Sequence, residues 1–181
     1  MSEPIWIPGR PAKKGSVRPI LSKRGKVYLK PQDAKLVPWT GRCAALALAA
    51  GWKVTHGPVV LKLVAYYERP KGHYRGKART LREDAPVRPT SQACGDIDKV
   101  SRAALDSLSR GIAYHDDSQV ARLEATKRWK DEGARDEEGV ELSVRPTEDA
   151  RCECGAVYDD HTEGGADGIL VCRLFVAKEE T

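Results

Sequence analysis

Residues 96–110, DIDKVSRAALDSLSR, place Ile97, Val100, Ala104, Leu105 and Leu108 at helical spacing, with Asp96 set to cap the first turn and Gly111 to stop the last. A helix with one apolar stripe must lay that stripe on another layer, so the rest of the chain has to supply one. Extended segments are available on both sides. PVVLKLVAYYERP (58–70) is β-branched and aromatic between Gly-Pro and Arg-Pro, with Lys62 expected to face solvent. SQVARLEATKRWK (118–130) reads as strand around Val120 and Leu123, and GVELSVRP (139–146) alternates cleanly as another. DEGARDEE between them is a turn.

The first half adds three pieces. VRPIL and KVYLK flank SKRG as a short basic hairpin. The stretch from Pro31 to Gly51 predicts a helix with Asp33 as N-cap and Gly51 as stop, although Pro38 and Gly41 weaken its first half. A loop runs from Lys71 to Gly95, and structureless loops of that length are uncommon in compact domains unless functional or mobile. The expected order is hairpin, helix, strand, long loop, helix, strand, strand.

A chain of 181 residues with 40% apolar content supports one ordinary domain and a small appendage. No run reaches the roughly 20 apolar residues of a membrane span, and MSEPIWIPGR has no signal-peptide pattern, so a soluble, cytoplasmic protein is expected. Charge is divided sharply. Residues 1–82 carry 18 Lys/Arg against 3 Asp/Glu and residues 83–181 carry 13 against 23, which gives the net +5. Such asymmetry points the basic half toward a polyanion, or is simply a solvated surface.

Against that background the acids of GDIDK (95–99) and of Asp116-Asp117 stand out. Each has a local explanation: Asp96 as N-cap, Asp98 as a dipole partner or an i,i+4 ion pair with Arg102, Asp116 and Asp117 as turn formers. The helix between them is about 22 Å long at 1.5 Å per residue. Asp117 therefore meets Asp96 and Asp98 only if residues 111–116 double back, or if a second subunit is involved.

The 26 residues GDIDKVSRAALDSLSRGIAYHDDSQV (95–120) resemble the signature of the RusA family of Holliday junction resolvases. That family shows D-x-D at a helix start, a basic residue four positions after the second Asp, D-A/S-L near the helix end, and D-D-[AS]-Q-V. The Pro- and Lys-rich N-terminal segment, the strand ending in Arg-Pro and Lys127 also agree, so the resemblance spans roughly residues 4–146. It implies an α/β (α+β) fold, a small mixed β-sheet with flanking helices, in a homodimer. It also implies a nuclease of the phage or prophage type, with Asp96, Asp98 and Asp117 as metal-binding acids and Asp116 as a weaker candidate. One departure matters, because the position often held by Lys is Arg102, which stays charged and serves electrostatically instead of moving a proton. Lys99 is either the ammonium that replaces it or an exposed helix lysine.

Oxygen-only ligands suit Mg²⁺, with Mn²⁺ as the alternative, and a divalent ion on carboxylates suits phosphodiester hydrolysis. Arg10, Lys13, Lys14, Arg18, Lys23, Arg24, Lys71, Arg75, Lys77, Arg79 and Lys127 are the candidate contacts to DNA phosphates, and His73 and Tyr74 are candidates to stack on an unpaired base. Cys152, Cys154, His161 and Cys172 follow the resolvase-like region (1–146) in a hairpin-like appendage (147–181), either as a Zn²⁺ site or as reduced bystanders. The expected activity is metal-dependent, structure-selective cleavage of branched DNA, four-way junctions first. The alternatives are a nuclease for other branched DNA and a DNA-binding adaptor with altered catalysis and a zinc-binding tail.

Overall fold

The computed structural model describes residues 3–15, 17–31, 33–77, 79–133 and 135–147. Cys152, Cys154, His161 and Cys172 lie outside the described residues, as does most of the appendage. Four strands form the central sheet: β1 (Ile5–Pro8), β4 (Val59–Tyr67), β7 (Val120–Trp129) and β8 (Gly139–Pro146), in the order β1-β8-β4-β7. Pairings are antiparallel except β4 with β7, so the sheet is mixed. Two helices, α1 (Leu36–Ala49) and α2 (Ile97–Leu108), pack on one face. Two small ribbons complete the described chain: β2 (Val17–Leu21) with β3 (Val27–Pro31), and β5 (Tyr74–Arg75) with β6 (Thr80–Leu81). This is the α+β architecture the sequence implied.

The core follows from strand alternation. On β4, Val59, Leu61, Leu63, Ala65 and Tyr67 point to the helices and are sealed from solvent, as are Val140, Leu142 and Val144 of β8. Lys62 is exposed on the opposite face, as its position in the strand required. Small residues on both helices, Cys43 and Ala47 against Ala103, Ala104 and Ser107, fit α1 beside α2. Burial pushes the Cys43 thiol up to about 12, so it stays protonated and serves packing.

Three expectations change. The first helix starts at Leu36, not near Pro31: Asp33 caps no helix, and its carboxylate accepts from the backbone N–H of Lys35 at 2.9 Å and of Lys13 at 3.3 Å. That start puts Pro38 in the first turn, where its missing N–H breaks no intrahelical bond. Strand β1 was not foreseen, because a four-residue edge strand is too short to show a period, yet Ile5 and Ile7 are buried in the core.

The loop from Lys71 to Gly95 is also more ordered than its composition suggested. It contains two single-turn helices and the β5–β6 ribbon. The Pro86 carbonyl accepts from Trp129 Nε1 at 2.9 Å and from Arg69 Nη1 at 3.0 Å. Arg69 is buried, lies over the Trp129 ring and pairs with Asp131 and Glu132, so one guanidinium ties the loop to the end of β7.

Candidate active site

Gly95 makes the turn that presents the two acids. Its φ of 71° and ψ of 173° belong to a region essentially open only to glycine, and a Cβ there would collide with the Lys13 side chain. From below, Lys127 of β7 donates to the Gly95 carbonyl at 3.0 Å. The turn is thus held on one side by the N-terminal segment and on the other by the sheet.

Asp96 has the extended backbone of an N-cap, but its side chain makes no capping bond. The carboxylate instead meets the Lys99 ammonium at 2.6 Å, and Asp98 meets Arg102 one turn on at 3.1 Å. Both acids are open, with side chains 63% and 53% exposed, so exposed pairs of this kind add little stability and exchange readily with solvent ions. The hydrogen bond and charge of Lys99 hold the Asp96 carboxyl below its ordinary range, with Lys127 and Lys13 adding to the effect. In return Asp96 raises the Lys99 ammonium, and Asp98 adds to it. The pair is the arrangement expected of carboxylates that stay ionised beside a cation.

A cavity of about 650 Å³ opens beside Asp96. Arg10, Lys13, Lys35 and Lys99 bring positive charge to its walls, against Asp33 and Asp96. Asp33 is already engaged by two backbone N–H groups, which leaves Asp96 as the acid that faces the cavity with an ion-pair partner only. Lys35 was not singled out in the sequence. Nothing local distinguishes it from other lysines, and only folding of the segment before α1 against Gly95 brings it here.

Asp116 and Asp117 stand at the other end. Residues 111–115 close a tight turn at the C-terminus of α2, with Arg110 N–H donating to the His115 carbonyl and Gly111 N–H to that of Tyr114. The Tyr114 hydroxyl donates to the Leu105 carbonyl at 3.0 Å. Asp116 caps the single helical turn Asp117–Gln119, accepting from the Ser118 N–H at 2.9 Å; the Ser118 side chain first, and this N–H second, hold its carboxyl below the ordinary range. Gln119 completes the reciprocal cap and donates its amide to the Thr55 and Gly57 carbonyls. The Gln of D-D-S-Q-V therefore anchors the start of β7, while Asp117 is left exposed. The return along α2 is made by β7, after Asp117, so Asp96 and Asp98 stand at the start of the helix and Asp117 stays near its other end, a 12-residue helix of about 18 Å away. Among the described residues no group of three or more His, Cys, Asp or Glu is arranged to hold a metal ion.

The candidate DNA contacts fall into two sets. Lys13, Lys14 and Lys127 surround α2, where Lys14 pairs with Asp106, and Arg10 donates to the Ala93 carbonyl at 2.8 Å. Lys23 and Arg24 stand at the turn of the β2–β3 ribbon, and Lys71, Arg75, Lys77 and Arg79 lie exposed around the β5–β6 ribbon. The Arg18 side chain lies outside the described residues. Neither proposed stacking ring stands free: His73 packs edge-on against Trp129, and Arg79 covers Tyr74.

Among the described residues no helix is long and apolar enough to cross a membrane. No curated protein matches the chain. The family model described as Endodeoxyribonuclease RusA matches residues 8–141, a span that runs from the end of β1 into β8 and takes in the paired acids of the Gly95 turn and the Asp116-Asp117 cap, and the chain belongs to that family.

Proposed function

We propose that the chain is a metal-dependent, structure-selective endodeoxyribonuclease that resolves four-way DNA junctions as a homodimer. The observation that carries this reading is the pair Asp96 and Asp98, two solvent-open carboxylates at a rigid glycine turn, ringed by Lys13, Lys99, Arg102 and Lys127. Asp96 does not cap its helix, and Asp98 is held only by its exposed pair with Arg102. An all-oxygen pair open to solvent fits Mg²⁺ or Mn²⁺. When bound there, such an ion supplies charge neutralisation at the phosphate and an activated water.

The chain's own residues supply the rest. Arg102 keeps its charge at every working pH and can grip a phosphate with two parallel N–H donors. Lys99 neutralises Asp96 until another cation replaces it. The cationic cavity wall of Arg10, Lys13 and Lys35 guides the DNA strand toward the acids.

Asp117 enters this reading through the dimer. Its place at the far end of α2 supports a site in which Asp96 and Asp98 of one subunit face Asp117 of the partner. Two such sites related by a two-fold axis fit a substrate cut at two symmetrical positions. The direct test compares a four-way junction, a flap and plain duplex at fixed salt with Mg²⁺ or Mn²⁺. Paired symmetrical nicks in the junction alone are expected. Equal cleavage of plain duplex rejects the structural selectivity, and binding without product in either metal rejects the enzyme.

A further inference from the structure

Among the described residues the strands of the β2–β3 ribbon, like those of β5–β6, pair only with each other, and β2–β3 is the longer of the two. A two-stranded ribbon is marginal in water unless something covers a face. Its turn is closed by the Ser22 N–H to the Lys26 carbonyl at 2.8 Å and by the Lys26 N–H to Ser22 Oγ at 3.0 Å, with Gly25 at a φ of 73°. Directly behind the turn, Leu21 and Val27 are cross-strand partners, so both project from the same face. They are 69% and 65% exposed, among the most exposed large apolar residues of the described chain. Lys23, Arg24 and Lys26 flank them, and no Asp or Glu occurs between residues 17 and 31. None of these three cations has a side-chain ion pair among the described residues.

An apolar pair at the tip of a narrow arm, collared by unpaired cations, matches a polyanion with apolar interior surface exposed. Branched DNA has that chemistry, because base pairs at the branch present faces from which stacking neighbours have been pulled away. Proteins that kink duplexes place apolar side chains between base steps with cations on the adjacent phosphates, and a β-ribbon is narrow enough for a groove. His73 and Tyr74, the candidates for base stacking, are occupied, His73 by Trp129 and Tyr74 by Arg79.

We propose that the β2–β3 ribbon is a wedge that inserts Leu21 and Val27 against the base pairs at the branch point while Lys23, Arg24 and Lys26 hold the flanking phosphates. The proposal rests on the branched-DNA reading above and adds the element that distorts the substrate. Since the ribbon lies outside the core, changes at its tip leave the fold intact.

The test uses the full chain carrying Asp98→Asn, so that the substrate stays uncut, and a four-way junction with 2-aminopurine at the branch. Binding is expected to raise the fluorescence as the probe base unstacks. Leu21→Ser with Val27→Ser removes most of that rise and weakens binding by less than roughly tenfold, because phosphate contacts carry most of the affinity. Lys23→Gln with Arg24→Gln weakens binding and lowers its salt dependence by about two phosphate contacts. An undiminished fluorescence rise in the Leu21→Ser, Val27→Ser variant overturns the wedge. Conversion of that variant from dimer to monomer in light scattering also overturns it, since the tip is then an interface between copies of the chain. Cleavage by the otherwise unaltered chain is measured alongside: loss of the wedge with cleavage intact leaves the nuclease reading standing, whereas failure to cut the junction at all rejects that reading first.

Discussion

Lys127 donates its ammonium to the Gly95 carbonyl at 3.0 Å, so the strand that leaves the Asp117 cap at one end of α2 finishes beneath the turn that presents Asp96 at the other. The contact fixes the polarity of β7 against α2. It also separates the acids that one chain contributes.

That separation gives a complementation test. Asp96→Asn and Asp117→Asn homodimers are each expected to be inactive. When the two are mixed and allowed to exchange, the heterodimer regains one intact composite site if the acids come from different subunits. The outcome is nicked junction instead of paired cuts, at roughly a quarter of the unaltered site count for random exchange. No recovered nicking places all three acids in one subunit.

Asp96→Asn and Asp98→Asn are each expected to lower junction cleavage at least about a hundredfold, the scale of losing a group that stabilises transition-state charge. Junction affinity is expected to hold or rise, because a negative charge next to the phosphate is removed. Gel-shift and cleavage assays on the same preparations separate the two effects, and a parallel loss of binding contradicts the assignment.

Gly95→Ala forces a side chain into a conformation only glycine adopts freely and into the space of Lys13. The expected cost is about 1–3 kcal/mol, read as a lower denaturation midpoint. Cleavage falls further than stability alone explains, because the turn orients Asp96.

The Asp96 carboxyl is held below its ordinary 3.8, chiefly by Lys99. A lowered carboxyl pKa contributes stability above the unfolded value and loses it as pH falls through the folded one, so the ion pair persists through neutral pH and dissolves only as pH falls below the ordinary carboxylate range. Lys99→Ala is expected to move the Asp96 titration upward toward 3.8, followed by carboxyl NMR shifts. An unchanged titration shows that Lys99 does not hold this carboxylate.

Arg69→Met removes the buried guanidinium that joins Asp131, Glu132, the Pro86 carbonyl and the Trp129 ring. Charge-assisted hydrogen bonds of this kind contribute about 1.5–3 kcal/mol, so a loss of about that size is expected. Proteolysis within residues 71–95 should accelerate in step, since the loop loses one of its two anchors at Pro86.

Much of the fold was legible because its signals are local. Helical spacing marked α2 almost to the residue, β-branched and aromatic content marked β4, Val120 and Leu123 marked β7, and alternation marked β8. The β2–β3 hairpin followed from a turn between two short apolar runs. Strand β1 gave too short a signal, and the start of α1 was misplaced because the Asp33 carboxylate bonds backbone N–H groups of Lys35 and distant Lys13. The order of the long loop was hidden as well, since its anchors Arg69 and Trp129 come from two separate strands' ends.

The sequence by itself determined the types of the longer elements, the division of charge between the two halves, and the acids and bases of the RusA signature, because each depends on neighbours a few residues apart. The tertiary structure decided which way β7 runs along α2, that Asp96 faces Lys99 rather than capping its helix, and that Asp117 stands a helix length away. These depend on contacts between residues far apart in the chain, which local periodicity does not encode: a strand reads the same in both directions until a partner such as Gly95 fixes its end.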